Sequence, residues 1–231
     1  MNPNKKILRI GHRGAMGYEI ENTLTSFQKA IDLNVDMIEL DLLTSKHGRL
    51  IVFHDHKLDR ITEGKGHLRK KTLEELKKLN VHKKEKIPTL EEALDLIDRK
   101  AKVNIEIKGA HTIGALLRLI DHYIREKGWR YDDFIISSFS RKTLKKLYQT
   151  KPHIQIGALV RYRLVGFLKF ARSVDAYSVH IHKNLINKRL VAQARKKGFQ
   201  VYVWTVNKPE EIDKVKNLGV DGIFSDFPDR I

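Results

Sequence analysis

The sequence of 231 residues predicts a single (β/α)8 barrel with a small insertion after the second strand. Short apolar runs rich in β-branched residues alternate with longer amphipathic segments along the whole chain, and eight such runs are present. This alternation is typical of a parallel sheet covered by helices, and eight strands are the number that closes such a barrel. A doubly wound open sheet is the main alternative, because a strand count read from sequence can be wrong by about one or two.

Each predicted strand is a short apolar run bounded by polar or turn residues. The strands are expected at 7–11, 36–42, 102–107, 133–137, 154–159, 175–179, 200–204 and 221–225. Helical patterns between them cover 23–33, 89–99, 112–127, 141–149, 162–171, 187–197 and 208–217. Thr89 follows Pro88 at the start of one helix, and Gly128 and Gly198 follow the ends of two others. The chain stops soon after the last strand, so a full eighth helix is not expected.

Residues 43–87 interrupt the alternation, because they are too long for a typical connection between a strand and a helix. Lys46-His47-Gly48 lies between two apolar stretches and is typical of a hairpin turn, and Leu73–Leu79 has a helical pattern. In a barrel, such an insertion would overhang the rim at the carboxyl ends of the strands, where barrel enzymes have their active sites. We therefore expect one catalytic barrel domain over residues 1–231, with an insertion at about 43–87.

The composition excludes several classes of protein. Hydrophobic residues make up 41% of the chain, which is enough for a sizeable core and excludes wholesale disorder. The absence of cysteine excludes a disulfide scaffold, a thiolate metal site and a cysteine nucleophile. No apolar run approaches the ~18 residues of a membrane span, and the N-terminus lacks the pattern of a signal peptide. A soluble, cytoplasmic protein is expected.

Side chains capable of chemistry cluster at the ends of predicted strands or just beyond them. The clusters are Gly11-His12-Arg13-Gly14, Glu39-Leu40-Asp41, His54-Asp55 and Glu106-Ile107-Lys108. Because side chains alternate along a strand, Glu39 and Asp41 share one face, and so do Glu106 and Lys108. Three carboxylates converging at the mouth of a barrel would repel one another unless a cation held them, and oxygen ligands suit magnesium or calcium.

Histidine, arginine and lysine complete this pattern. His12 and His54 offer acid and base groups that titrate near neutral pH. Arg13 has a fork of donors suited to phosphate, and Lys108 supplies a compact positive charge. A divalent cation with these side chains fits chemistry at a phosphate ester. The other nine histidines are interpreted as structural or solvated, His180 with least support because it follows the sixth predicted strand.

Taken in order, these residues resemble the N-terminal signature of the glycerophosphodiester phosphodiesterase family. The segments that match this signature are Gly11–Gly14, Glu21-Asn22-Thr23, Asp36–Asp41, His54-Asp55, Leu58-Asp59-Arg60 and Glu106-Ile107-Lys108. Later landmarks of the family are matched by Ser138-Phe139, Val203–Asn207 and Gly219–Ile223. The resemblance covers essentially the whole chain. Departures are the turn Ser45-Lys46-His47-Gly48, where the family often has Thr-Lys-Asp-Gly, and Ser140, where an acid is common. Neither departure touches a candidate catalytic position.

The resemblance implies a barrel of the phospholipase-C-like type and a set of roles. Glu39, Asp41 and Glu106 would bind one divalent cation, Mg or Ca. His12 and His54 would be the acid and base, and Arg13 and Lys108 would hold phosphate. Trp204 would line the pocket beside the glycerol, or else fill the top of the barrel as a core aromatic.

The implied reaction is hydrolysis of a small-molecule glycerophosphodiester to glycerol 3-phosphate and an alcohol, through a cyclic phosphate. The resemblance does not decide which histidine is the initial base. A lysophospholipase-D-type enzyme of the same family is the alternative. A non-catalytic nucleic-acid binder is a distant one, because no nucleic-acid motif is present and strand-end carboxylates would repel phosphate. No nucleic-acid partner is expected.

The formal net charge of +17 is concentrated in one part of the chain. Residues 141–209 contain 16 lysines and arginines and a single acid, Asp175, whereas residues 1–140 contain 26 basic and 21 acidic residues. This basic second half predicts attraction of anionic substrates or peripheral contact with an anionic membrane. The segment Arg161–Phe170 could touch an acyl chain, although the favoured interpretation is a helix packed on the barrel. A heat-adapted surface is a third explanation of the charge.

Overall fold

The computed structural model describes residues 6–162 and 165–231. Eight parallel strands form a closed barrel, because the first strand pairs with both the last strand and the next barrel strand. The barrel strands are β1 (Leu8–Gly11), β2 (Met37–Thr44), β6 (Lys102–Ile107), β7 (Phe134–Ser138), β8 (Gln155–Val160), β9 (Ser178–His182), β10 (Gln200–Trp204) and β11 (Gly222–Ser225). The closed sheet confirms the predicted barrel and excludes the open-sheet alternative.

Helices cover the outside of the barrel, one further helix lies in the insertion, and several helix starts carry side-chain caps. They are α1 (Leu24–Asp32), α2 (Leu73–Lys78), α3 (Leu90–Ile97), α4 (Ile113–Glu126), α5 (Arg141–Thr150), α6 (Phe167–Ser173), α7 (Lys188–Lys196) and α8 (Pro209–Asn217). Thr89 caps α3 by accepting from the backbone N–H of Glu92, whose side chain reciprocates, and Ser140 caps α5. After β11 the described chain forms only a single 3-10 turn, Pro228–Arg230.

The insertion after β2 is a small layer built on the barrel rim. β3 (Leu50–Val52) pairs antiparallel with β2 across the predicted hairpin, and Gly48 in its turn has a φ of +78°. The two short strands β4 (Asn80–Val81) and β5 (Glu85–Lys86) pair with each other, and α2 precedes them. The insertion has its own apolar cluster, which includes Phe53 and Leu76. These contacts fix the segment that carries His54 against the barrel.

Two predicted elements are misplaced. The strand expected at 175–179 lies at 178–182, so His180 is inside β9 and not after it. Its ring is fully buried between Tyr202 and Phe224, and Ser178 Oγ lies 2.8 Å from His180 Nε2. Ser178 and His180 are polar but face the barrel interior, so the apolar pattern placed this strand three residues too early.

The helix expected at 162–171 begins only at Phe167, after Gly166 with a φ of +68°. Tyr162 and Val165 before it are exposed, so the apolar pattern there does not mark a packed helix face. Positions 163 and 164 of this predicted helix lie outside the described residues, as do residues 1–5. Within the described chain, no helix combines the length and apolar character needed to cross a bilayer.

Candidate active site

The three carboxylates of the sequence prediction meet at the carboxyl ends of β2 and β6. Asp41 lies directly opposite Glu106 in the register of these two strands, and Glu39 precedes Asp41 on the same face. Glu39, Asp41 and Glu106 are all buried, and oxygen atoms from the three lie within 4.8 Å of one another. This spacing allows a single hard cation to contact all three side chains.

Two positively charged side chains of the protein lie against this cluster. Lys108 Nζ lies 2.5 Å from both Asp41 Oδ1 and Glu106 Oε1. Arg13 Nε lies 3.2 Å from Asp41 Oδ2. Three carboxylates against two cations leave one formal negative charge, which a divalent ion would convert to one positive charge. A net positive charge at the site would attract a phosphodiester anion.

The pKa values of the three carboxylates are displaced in different directions because their charged neighbours differ. Burial and the nearby charge of Asp41 raise the pKa of Glu39 to about 7. Burial and Asp41 likewise raise the pKa of Glu106. Burial acts in the same direction on Asp41, but Lys108 and Arg13 outweigh it and lower the pKa of Asp41. The negative charge of the cluster is therefore only partly balanced by the protein's own side chains.

The loop after β1 presents Arg13 and His12 to the cluster. The backbone N–H of Arg13 donates to Glu39 Oε2 at 2.8 Å, and Asn22 donates to Asp41 Oδ2 at 3.0 Å. Gly14 is required in this loop, since its φ is +86° and a Cβ there would lie 2.2 Å from Ser26 Oγ. The loop is thus held against the end of β2 by hydrogen bonds to two of the three clustered carboxylates, Glu39 and Asp41.

His12 is oriented by a carboxylate on the last strand's end. His12 Nδ1 lies 2.7 Å from Asp226 Oδ1, and Asn207 Nδ2 donates to the other oxygen of Asp226 at 2.6 Å. Burial lowers the pKa of His12, but the hydrogen bond to Asp226 and the charge of Glu39 outweigh it and raise that pKa overall. Because Nδ1 is engaged with Asp226, Nε2 is the nitrogen of this ring that could exchange a proton with a ligand.

His54 is oriented by a longer chain of charges that joins the insertion to the β1 loop. His54 Nδ1 lies 2.5 Å from Asp55 Oδ1, and Asp55 also bonds to Arg60. Arg60 donates two hydrogen bonds to Glu21, which accepts a third from Arg13 at 2.7 Å. Burial lowers the pKa of His54 despite the opposing charge of Asp41. The two histidines therefore have pKa values displaced in opposite directions.

The sequence-predicted residues lie together. Seven of them line one pocket of about 110 Å³, namely His12, Arg13, Glu39, His54, Glu106, Lys108 and Trp204. Asp41 is buried beside them and bonded to Lys108. Trp204 packs edge-on against Phe139 and His182 and donates from Nε1 to the carbonyl of His180 at 3.2 Å.

Asp226, which is bonded to His12, and several residues that line the pocket were not selected from the sequence. Asp226 directly follows the last predicted strand, so the strand-end rule that selected Glu39 would also have found it. Asn104, Phe139, Leu159, Arg161 and Phe224 complete the lining. Phe139 and Arg161 follow strands β7 and β8, and only their position in the closed barrel brings them beside the carboxylates.

Comparison with known proteins gives a consistent result. The profile of the "Glycerophosphoryl diester phosphodiesterase family" matches residues 12–230. A "Glycerophosphodiester phosphodiesterase" from Caldanaerobacter subterraneus is 37% identical, covering 98% of this chain and 96% of that protein. One from Bacillus subtilis is 32% identical, covering 97% and 85%.

Solved structures agree with the sequence relatives. An Oleispira antarctica phosphodiesterase in complex with the product sn-glycerol-3-phosphate superposes with a TM-score of 0.89, 30% identity and coverage of 96% of this chain and 94% of that chain. A Thermotoga maritima glycerophosphodiester phosphodiesterase superposes with a TM-score of 0.83 and 29% identity, covering 97% and 96%.

Proposed function

The chain belongs to the glycerophosphoryl diester phosphodiesterase family of phosphoric diester hydrolases, and we propose that it hydrolyses glycerophosphodiesters to glycerol 3-phosphate and an alcohol. The observation that carries this proposal is the meeting of eight sequence-predicted residues at one pocket on the rim of the barrel. The product class is supported by the sn-glycerol-3-phosphate bound to the similar Oleispira phosphodiesterase.

We propose that Glu39, Asp41 and Glu106 hold one divalent cation, Mg or Ca. The buried carboxylates fit such an ion, since they are oxygen ligands within 4.8 Å of one another and carry more negative charge than Lys108 and Arg13 balance. When bound, the cation would stabilise negative charge on the phosphoryl group and lower the pKa of a neighbouring glycerol hydroxyl.

The opposite displacement of the histidine pKa values supports a division of roles. His54, with the lowered pKa, is neutral at the start and removes the proton from the glycerol hydroxyl next to the phosphate. That oxygen bonds to phosphorus as the bond to the alcohol breaks, and protonated His12 gives its Nε2 proton to the departing alcohol. Water then opens the cyclic phosphate, with His12 taking the water's proton and His54 returning its own to the glycerol oxygen.

The remaining pocket residues bind and orient the substrate in this proposal. Arg13 presents its guanidinium group to the phosphate while Glu21 and Asp41 hold it in place. Lys108 is confined between Asp41 and Glu106 and contributes positive charge to the phosphate side of the cluster. Trp204 would pack against the glycerol carbons, because it lines the pocket and is fixed by its hydrogen bond to the carbonyl of His180.

A lysophospholipase-D-type activity is a second candidate, favoured by one observation. A largely apolar groove of about 460 Å³ lies beside the catalytic pocket and shares Phe139, Leu159 and Arg161 with it. Phe167 and Phe170 extend the groove away from the pocket. An acyl chain attached to the glycerol could lie there while the phosphate sits at the carboxylates. Comparing hydrolysis of glycerophosphocholine with that of lysophosphatidylcholine decides between the two substrates.

Substitution of the histidines tests the proposed chemistry. His12→Ala and His54→Ala should each lower turnover of glycerophosphocholine by ~10²–10⁴-fold while the fold survives. The exposed His153, which lies outside the pocket, provides the matched control as His153→Ala. Full activity in either pocket variant would remove that histidine from the mechanism.

A further inference from the structure

Three of the five large hydrophobic side chains that are exposed in the described chain lie on one rim of the barrel. The large hydrophobic residues exposed in the described chain are Tyr18, Phe139, Tyr162, Val165 and Tyr177. Phe139 directly follows β7, and Tyr162 and Val165 lie between β8 and α6, on the rim that carries the catalytic pocket. Tyr162 and Val165 are 79% and 76% exposed, so little of either side chain packs against the protein. Clustered exposure of this kind marks a surface that contacts something other than water.

These side chains are continuous with the catalytic pocket. Phe139 and Arg161 line both the pocket and the adjoining groove, and Tyr162 lines the groove alone. Val165 lies three positions after Tyr162 in the sequence. Material bound on this rim would therefore lie at the mouth of the active site.

Basic side chains lie on the same rim as this apolar patch. Helices α5 and α7 begin at the same rim, because each follows a strand that ends there, and their first residues include Lys142, Lys188 and Arg189. These three are exposed, and none forms an ion pair with a described carboxylate. The only acid among residues 141–209, Asp175, lies in the loop before β9, at the opposite end of the barrel.

Two arginines at this rim, Arg161 and Arg141, also lie close to aromatic rings. The Arg161 guanidinium lies 5.1 Å from the centre of the Tyr162 ring, and that of Arg141 lies 5.1 Å from the Phe170 ring. A surface groove then runs from Lys169 and Arg189 toward the far end of α7. We name Phe139, Arg141, Lys142, Arg161, Tyr162, Val165, Lys169, Lys188 and Arg189 the hydrophobic–basic rim.

We propose that the hydrophobic–basic rim binds the surface of an anionic phospholipid bilayer. Tyr162 and Val165 would enter the interface, and the flanking lysines and arginines would contact lipid phosphates. Nucleic acid would satisfy the charges, but it offers no apolar layer for Val165. The bilayer contact would place the catalytic pocket over lipid-derived phosphodiesters. Bilayer binding does not depend on the proposed hydrolysis, and binding and hydrolysis are measured separately.

Sedimentation with vesicles tests the contact. We expect the full chain to bind vesicles of phosphatidylcholine and phosphatidylglycerol in equal parts at low salt, and to bind phosphatidylcholine vesicles far more weakly. High salt should weaken the first binding, because surface charges are screened. Equal weak binding to both vesicles would overturn the proposal. Glycerophosphocholine hydrolysis is followed in parallel, so an inactive protein that still binds vesicles would refute the proposed function alone.

Two double charge-reversal variants of α7 test where on the protein the vesicles bind. Lys188→Glu with Arg189→Glu acts at the rim end of α7, and Lys196→Glu with Lys197→Glu makes the same change in charge at its other end. All four side chains are exposed, and none lines the catalytic pocket. The rim pair should weaken vesicle binding by ~25-fold or more, at about fivefold for each basic residue, and leave glycerophosphocholine hydrolysis unchanged. Equal effects of the two pairs would contradict binding at the rim.

The apolar contribution is tested with Tyr162→Ser and Val165→Ser together. This variant keeps every charge, so a loss of vesicle binding reports insertion of the side chains. Binding of a single-stranded oligonucleotide is measured beside it. If the oligonucleotide binds as tightly as the vesicles and the double variant binds vesicles normally, the surface is a general polyanion site and the bilayer proposal is wrong.

Discussion

Replacing Asp226 by Asn tests how the protein controls His12. The carboxylate lies 2.7 Å from His12 Nδ1, and its hydrogen bond and charge raise the pKa of that histidine against the lowering effect of burial. A hydrogen bond to a charged group contributes about 1.5–3 kcal/mol, which corresponds to ~10–150-fold in rate if it is lost from the transition state. Asp226→Asn should therefore reduce turnover by that factor.

The dependence of turnover on pH shows whether the effect of Asp226→Asn acts through His12. Without the carboxylate, burial is the dominant remaining effect and the pKa of His12 must fall. If His12 acts in its protonated form, the alkaline limb of the profile moves to lower pH, while the limb set by His54 stays. Asp229→Asn is the matched control, because Asp229 accepts from Tyr18 at the surface and lies outside the pocket. An unchanged rate and an unmoved alkaline limb in Asp226→Asn would refute the assigned role.

Three further predictions concern stability, each measured by urea denaturation. Burial lowers the pKa of His180 from 6.5 to about 3. As pH falls, His180 is therefore protonated at a higher pH in the unfolded chain than in the folded protein. The free energy of unfolding should then fall by up to about 1.4 kcal/mol per pH unit as pH drops from 6.5 toward 3. His180→Asn should flatten this slope, and a slope equal to that of the parent would contradict it. Lys108→Met should cost the metal-free protein about 3–5 kcal/mol by leaving Glu106 without its paired cation and Asp41 with Arg13 alone, whereas Lys108→Arg should cost much less; equal costs would refute this. Gly157→Ala should destabilise by about 1–3 kcal/mol, because a Cβ there would lie 2.6 Å from the His180 ring, and unchanged stability would show that the ring moves freely.

Much of the fold could be predicted because the outer faces of the strands are apolar. Strands such as β6 and β7 bury β-branched residues against the helices, and this pattern appears directly in the sequence. The bounds predicted for β9 were three residues too early, because Ser178 and His180 face the barrel interior and interrupt the apolar run. Only the closed barrel gives this polar inner face a buried environment, which no local pattern contains.

The candidate site was predictable to the same extent. Carboxylates at the ends of β2 and β6 follow from strand alternation, and the order of the motifs identified the family and the class of enzyme. The partners that orient the histidines were harder to find. Asp226 lies 214 residues after His12, and only the pairing of β1 with β11 brings them together. The chain of charges from His54 to Arg13 likewise joins the insertion to the first loop.

Hydrolysis of glycerophosphocholine by chelated and metal-restored protein tests the central claim most directly. We predict that EDTA abolishes formation of glycerol 3-phosphate and that added Mg or Ca restores it. In Glu39→Gln, which removes one buried carboxylate from the cluster, the metal should restore little or no activity. Glycerol 3-phosphate formation that continues unchanged in EDTA would contradict a cation held by Glu39, Asp41 and Glu106.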